Sequence, residues 1–293
     1  MRDDCANTMF RNLDRSFGES SFLRQLDEAY DRALGDLNDE IINEDSFVDL
    51  YSDRTVEDDK AYVERMEKKF QEQNSPEVER AIQMGTIFEA IIHEQVELND
   101  WLGEDVTTRK ASRFDDIKNG VDTIAEIEHE TSTSHLALAF DVTYGKHVVN
   151  KIERIKREIE QGTLTEVKYF ESSDETIKGK LSKVPRVVVG ADKETLKELT
   201  DLWMNRKNKD LAVHPIQLQI IDEIVMQLGT YRDYAIKVGQ GDIAQIYDRQ
   251  LSLIKKIQES KQDLYESSDI GNGYLANDRV FAALTDVLRD FES

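Results

Sequence analysis

The chain has 293 residues, 39% of them apolar and 33% charged, and a net charge of -22. That length allows one large domain or a core with helical additions, and the 14 glycines and 3 prolines argue against a β-sandwich and against flexible linkers. Cys5 is the only cysteine, which excludes an intramolecular disulfide or thiolate cluster; with a charged N-terminus and no membrane-length apolar run, the expectation is a cytoplasmic protein with no membrane partner.

"FLRQLDEAYDRALGDLNDEI" aligns Phe22, Leu26, Ala29, Ala33, Leu37 and Ile41 on one face of an amphipathic helix. "TVEDDKAYVERMEKKFQEQ" opens with Thr55 and Asp58 as a loose capping box and predicts a second helix ending near Asn74. A third helix starts at Ser75 as N-cap with Pro76 at its first position. Ile82, Ile91, Ile92 and Leu98 are its expected buried stripe, Gly85 lies inside it, and Gly103 is its expected end. From Asp105 the pattern changes. "DVTTRKASRF", "GVDTIAEIE" and "HLALAFDVT" read as three strands. "KHVVNKIERIKREIEQG" returns to helical spacing through Val148, Ile152, Ile155 and Ile159 and stops at Gly162. "VPRVVVGAD" is a short apolar run of the kind a buried parallel strand shows. The rest is helical, with two long amphipathic stretches from Pro215 and Asp242, a loop in "ESSDIGNGYLAND" and a final helix.

The expected fold class is mixed α/β, with an αβββαβ core. Residues 1–74 form an N-terminal helical segment, 75–206 the core, and 207–293 a C-terminal helical segment. Two aspartates mark the middle of the core. A hairpin about the turn "HETSTS" (His129 to Ser134) sets Glu128 opposite His135 and Asp122 opposite Asp141. Opposed Cβ atoms sit about 4.5–5.5 Å apart, and two carboxylates so placed repel unless they share a proton or a cation. Hard divalent cations such as Mg²⁺ favour such a site.

A helix bearing a glutamate, three antiparallel strands, a helix and a parallel strand resemble the PD-(D/E)XK nuclease superfamily, over roughly Ser75 to Gly190. The resemblance implies a restriction-endonuclease-like core with a mixed central sheet. It implies that Asp122 and Asp141, joined by Glu89 from the helix, bind Mg²⁺ or Mn²⁺ and generate a hydroxide for phosphodiester cleavage, with DNA as the substrate. The motif's lysine position holds Thr143, which cannot supply a positive charge. Lys151, early in the following helix, is the first candidate to replace it, and Lys146, in the connection, the second.

Each residue also has a plainer reading. Asp122 can be a solvated strand-end acid and Glu89 a surface position of an acidic helix. Lys151 can be a solvated helix lysine, and Arg154, Lys156 and Arg157 can pair with Glu153, Glu158 and Glu160. Between Asp36 and Arg65 there are 11 acidic and 3 basic residues, against 4 acidic and 6 basic between Lys146 and Lys168, so local sign matters more than the total. The five histidines show no zinc-like spacing, and no phosphate loop or nucleophile elbow is present. The leading expectation is a metal-dependent nuclease. The alternative is a catalytically inactive relative whose amphipathic helices bind a protein partner or a second copy of the chain. A third reading, an acidic protein competing with nucleic acid for a basic partner, rests on charge alone.

Overall fold

Residues 24–129, 132–141, 146–267 and 278–291 are described by the computed structural model. Helix α1 (24–40) buries Leu26, Ala29, Ala33 and Leu37, the stripe its periodicity predicts; Phe22 lies outside the described residues. Helix α2 (Asp53–Gln73) begins two residues before the expected capping box, with Ser52 as its N-cap. Helix α3 (Pro76–Asn99) starts as the sequence predicts, with the Ser75 hydroxyl accepting from the Val78 N–H at 3.4 Å. It stops earlier than Gly103, at a left-handed Asp100. Its buried face runs through Ile87, Phe88, Ile91, Ile92 and Val96, whereas Ile82 and Leu98 are exposed. The expected stripe was therefore right only at its centre, because the helix is sunk into the protein in its middle and stands clear at both ends.

The chain then lays down β1 (Val106–Lys110), β2 (Thr123–His129) and β3 (Ser132–Asp141), with α4 (Lys146–Glu160) crossing over. A hairpin that the sequence reading passed over follows, β4 (Thr165–Glu171) with β5 (Lys178–Val184), and then β6 (Arg186–Gly190). The main sheet has the order β1-β2-β3-β6, antiparallel except for the parallel β3–β6 pair, and β4–β5 form a separate two-stranded sheet. The architecture is thus mixed α/β, with a four-stranded mixed sheet flanked by helices. One apolar core joins residues of α1, α3 and the sheet to those of the C-terminal helices, from Leu26 to Phe291.

Helix α5 (Lys193–Met204) is capped by Asp192, whose carboxylate accepts from the Glu194 and Thr195 N–H groups. The two long amphipathic stretches are α6 (Ile216–Lys237) and α7 (Gly241–Ser260), and α8 (Arg279–Leu288) is the final helix; the loop expected before it falls almost wholly outside the described residues. Helix α6 closes the open edge of β6 with side chains. The Gln227 amide accepts from the Val188 N–H at 2.9 Å and donates to the Val188 carbonyl at 2.6 Å. One turn earlier, Glu223 accepts from the Gly190 N–H at 2.9 Å, and one turn earlier still Gln219 donates to the Gly190 carbonyl at 3.3 Å. Spacing of four residues puts all three on one helix face, so the ladder supplies partners that a missing fifth strand would have supplied.

The hairpin register differs from expectation. Thr123 pairs with Leu138, Glu126 with His135 and His129 with Ser132, so Asp122 comes beside Ala139, two residues short of Asp141. A shift of two keeps each residue on its face of the sheet, where a shift of one would have reversed it.

Candidate functional site

Asp122 is placed by the segment between β1 and β2. That segment makes one π-helical turn, Asp115–Asn119, and leaves it through Gly120 at φ +67°. The left-handed conformation suits glycine, and a Cβ there would meet the guanidinium groups of Arg154 and Arg186 at 3.2 Å. Asp122 then clamps onto β3: its N–H donates to the Leu138 carbonyl at 3.1 Å and its Oδ2 accepts from the Phe140 N–H at 2.7 Å. The carboxylate continues the ladder just beyond the end of β2.

Around Asp122 four further charged groups converge. Glu89, on α3, is buried, and its Oε1 accepts from Lys110 Nζ at 2.8 Å and from the Thr123 hydroxyl at 2.7 Å. Lys110, also buried, gives a second bond to the Asp122 carbonyl at 3.0 Å. Lys151, on the second turn of α4, donates to the Phe140 carbonyl at 2.6 Å. Asp116 lies within hydrogen-bonding reach of the Asp122 carboxyl and pairs with Arg113 at 2.6 Å. Phe140 therefore engages Asp122 through its N–H and Lys151 through its carbonyl.

The electrostatics follow from burial and crowding. Burial pushes the Glu89 carboxyl up to about 7; Lys110 pulls it back and Asp122 adds to the rise. Burial likewise raises Asp116, with Asp122 contributing and Lys110 and Arg113 opposing. For Lys110, burial works against the ammonium, but Glu89, Asp116 and Asp122 together overcome it and hold it above its ordinary value. Neighbouring Asp115 is different. Its two oxygens accept from Ser112, Asn119 and the N–H groups of Lys168 and Tyr169, so it is a structural acid that ties the β4 strand to the π-helical turn.

Glu89, Arg113, Asp116, Asp122 and Lys151 line a groove of ≈ 790 Å³. Its walls come from α2 and α3, including Glu67, Phe70, Glu79, Ile82 and Gly85. Phe70 and Ile82 are exposed there. A glycine inside a helix can let it approach a neighbouring element closely. At Gly85 nothing lies within 4 Å of where a Cβ would be, and the residue faces the groove.

Of the four expected site residues, Glu89, Asp122 and Lys151 line this one groove. Asp141 ends β3 with its backbone beside Gly190; its side chain, like Thr143, lies outside the described residues, as does the side chain of Lys146 at the start of α4. The expected direct opposition of Asp122 and Asp141 is replaced by the two-residue offset. Lys110 and Asp116 were missed. Lys110 had a legible signal: Val106, Thr108 and Lys110 alternate on the buried face of β1, and a lysine at an inward strand position requires a partner. Asp116 had none, because its placement depends on a π-helical turn. The basic residues of α4 are engaged within the protein: Arg154 with Glu158 at 3.1 Å, Arg157 with the Glu153 carbonyl, and Lys156 with the Asp290 carbonyl. They do not form a free cationic face.

The carboxylates of Glu89, Asp116 and Asp122 are hard oxygen donors under mutual repulsion, a chemistry that suits Mg²⁺ or Mn²⁺. Among the described residues, however, no three His, Cys, Asp or Glu side chains are grouped so as to hold a metal ion, and Lys110 already neutralises one carboxylate. No helix among the described residues is long and apolar enough to cross a membrane. No protein-family model matches the chain, and neither a curated protein nor a solved structure matches it.

Proposed function

We propose that the chain is a divalent-metal-dependent nuclease-like hydrolase of the PD-(D/E)XK kind, with Glu89, Asp122 and Asp141 as the acids and Lys151 as the groove-facing cation. The observation that carries this reading is the convergence of Glu89, Asp122 and Lys151 on one groove at the carboxyl end of β3, with Lys110 buried behind Glu89. Asp122 and Asp141 would hold the ion, with Glu89 beside them. A bound Mg²⁺ would supply a hydroxide at neutral pH and polarise the phosphate. Lys151 fills the role that Thr143 cannot, since its position is fixed through Phe140 relative to Asp122. Lys110 is a positioning residue: it holds Glu89 and the Asp122 backbone in place from behind.

DNA is the proposed substrate class, though the groove walls carry Glu67 and Glu79, so a duplex binding along them would meet like charge. A second reading is favoured by the Glu89–Lys110 pair. A carboxylate already neutralised from within needs no metal, and Asp122 satisfies the Phe140 N–H as a strand terminator would. On that reading the fold is catalytically inactive and its helical flanks bind a partner. Incubation of the purified chain with Mg²⁺ or Mn²⁺ and single-stranded DNA, duplex DNA and RNA separates the two. Cleavage that is lost in Asp141→Ala and reduced by orders of magnitude in Lys151→Ala supports the nuclease. Absence of cleavage on every form, or full activity in Lys151→Ala, overturns the assignment.

A further inference from the structure

A second, smaller cleft lies at the opposite end of β3, about 20 Å from Asp122 at the usual rise of a strand. Its volume is ≈ 170 Å³, and it is enclosed by the start of β3, the β5–β6 junction and α7. In a chain with 60 acidic and 38 basic residues, no carboxylate lines it, while Lys183 and Arg249 both do. Neither cation has an ion pair or hydrogen-bond partner among the described residues. Ser134 and Ser182 add hydroxyls.

Buried polar groups point to a ligand independently of the charge. Gln250, only 4% exposed, lines the cleft, and its amide Nε2 has no hydrogen-bond partner among the described residues. The His135 Nε2 is also buried there and unpartnered; Glu126 Oε2 lies 3.8 Å away, beyond hydrogen-bond reach. A buried amide N–H left without an acceptor costs about 1–3 kcal/mol, and native proteins leave few such groups without a water or ligand. Lys183 adds a conformational cost, since it sits at φ +59°, where a non-glycine residue is disfavoured.

We infer that this cleft is a binding site for a small oxyanion, a phosphate or carboxylate group, held by Arg249 and Lys183 and by the Gln250 amide. The guanidinium offers a planar fork to two oxygens and the ammonium a point charge, and the Gln250 amide, whose buried Nε2 has no partner among the described residues, reaches the anion by a turn of its side chain. The volume suits inorganic phosphate or a short carboxylic acid and is too small to take a nucleotide whole. The site is separate from the acidic groove and does not depend on the nuclease reading.

The test is calorimetric titration of the full chain with inorganic phosphate and, separately, with succinate, at ionic strength held constant with chloride. Saturable one-site binding of either is expected, and the two arms distinguish phosphate from carboxylate ligands. Arg249→Gln should weaken that binding at least about tenfold, the loss of one charge-assisted hydrogen bond. Lys183→Gly should weaken it comparably while leaving thermal stability unchanged or raised, because glycine accepts the left-handed backbone. If neither anion binds at about 10 mM, beyond the weakest affinity such a site should show, the inference fails. It fails equally if binding survives both substitutions unchanged.

Discussion

Two buried glutamates adjoin the same sheet, Glu223 at the edge of β6 and Glu89 beside Lys110 and Thr123, and their surroundings differ in kind. Glu223, on α6, accepts from the Gly190 N–H and from Gln219 Nε2 at 3.1 Å, and burial raises its carboxyl well above the ordinary value. Among the described residues no lysine or arginine pairs with it. Glu89, on α3, is paired with Lys110, crowded by Asp122 and open on one side to a groove. The first arrangement completes a sheet edge with neutral and backbone donors. The second concentrates charge of both signs where solvent and a ligand can enter. Saturated hydrogen bonding marks a structural acid, and unresolved charge beside a groove marks a candidate functional one.

The sharpest break between the two regions is in activity. On the proposed nuclease reading, Asp122→Asn should lower metal-dependent cleavage by at least about 10²-fold, as removal of a key electrostatic group does, while Glu223→Gln should leave cleavage per folded molecule unchanged; a nuclease assay on both variants reads this. If both lose activity equally, the groove is not special. The next effect is on stability. Lys110→Met leaves Glu89 buried without its cation and should cost about 3–5 kcal/mol in denaturant unfolding, whereas the double change Glu89→Gln with Lys110→Met should cost much less. A single-variant loss below about 1 kcal/mol would show that the pair behaves like a surface pair.

The α6 side should respond to pH. Burial lowers His214, just before α6, to about 4, and its Nδ1 accepts from the Ile216 N–H at 3.2 Å. The unfolded chain therefore binds a proton that the folded chain refuses. The stability this residue contributes is present above about 6.5 and falls by about 1.4 kcal/mol per pH unit as pH drops towards 4. Subtracting the urea unfolding profile of His214→Asn from that of the wild-type chain should recover this slope; a flat difference would refute it. Glu223→Leu should cost about 1–3 kcal/mol by orphaning the Gly190 N–H, with faster amide exchange at Gly190 as its local signature.

The order of helix and strand around the site was legible because the periodicity changes sharply at Asp105, again at Lys146 and again near Val184. What the sequence concealed depends on tertiary context. The β4–β5 hairpin has mixed polar and apolar residues, and β5 is largely exposed, so no clear alternation announced it. The register slipped by two because a six-residue turn and a two-residue turn both satisfy the same face pattern in "EHETSTSH". Asp122 could be found from the hairpin count and Glu89 through the family resemblance, but Lys110 was passed over because a lysine near a strand end reads as solvated. Its burial is decided by α3 lying across β1.

The smallest effect concerns the groove itself. Gly85 lies inside α3, and an added Cβ would meet nothing within 4 Å. Alanine should therefore stabilise the helix by about 0.5–1 kcal/mol, the usual cost of glycine in a helix interior. A methyl group is too small to block a groove of ≈ 790 Å³, so Gly85→Ala should leave cleavage unchanged, whereas Gly85→Phe at the same position projects a ring over Glu89 and Asp122. The stability of Gly85→Phe should stay near that of the wild-type chain while, on the proposed nuclease reading, its KM for a polynucleotide rises. If the phenylalanine variant binds and cleaves normally, the substrate does not enter over α3. If the alanine variant is instead destabilised, α3 and the groove wall lie closer together than the open space at Gly85 implies.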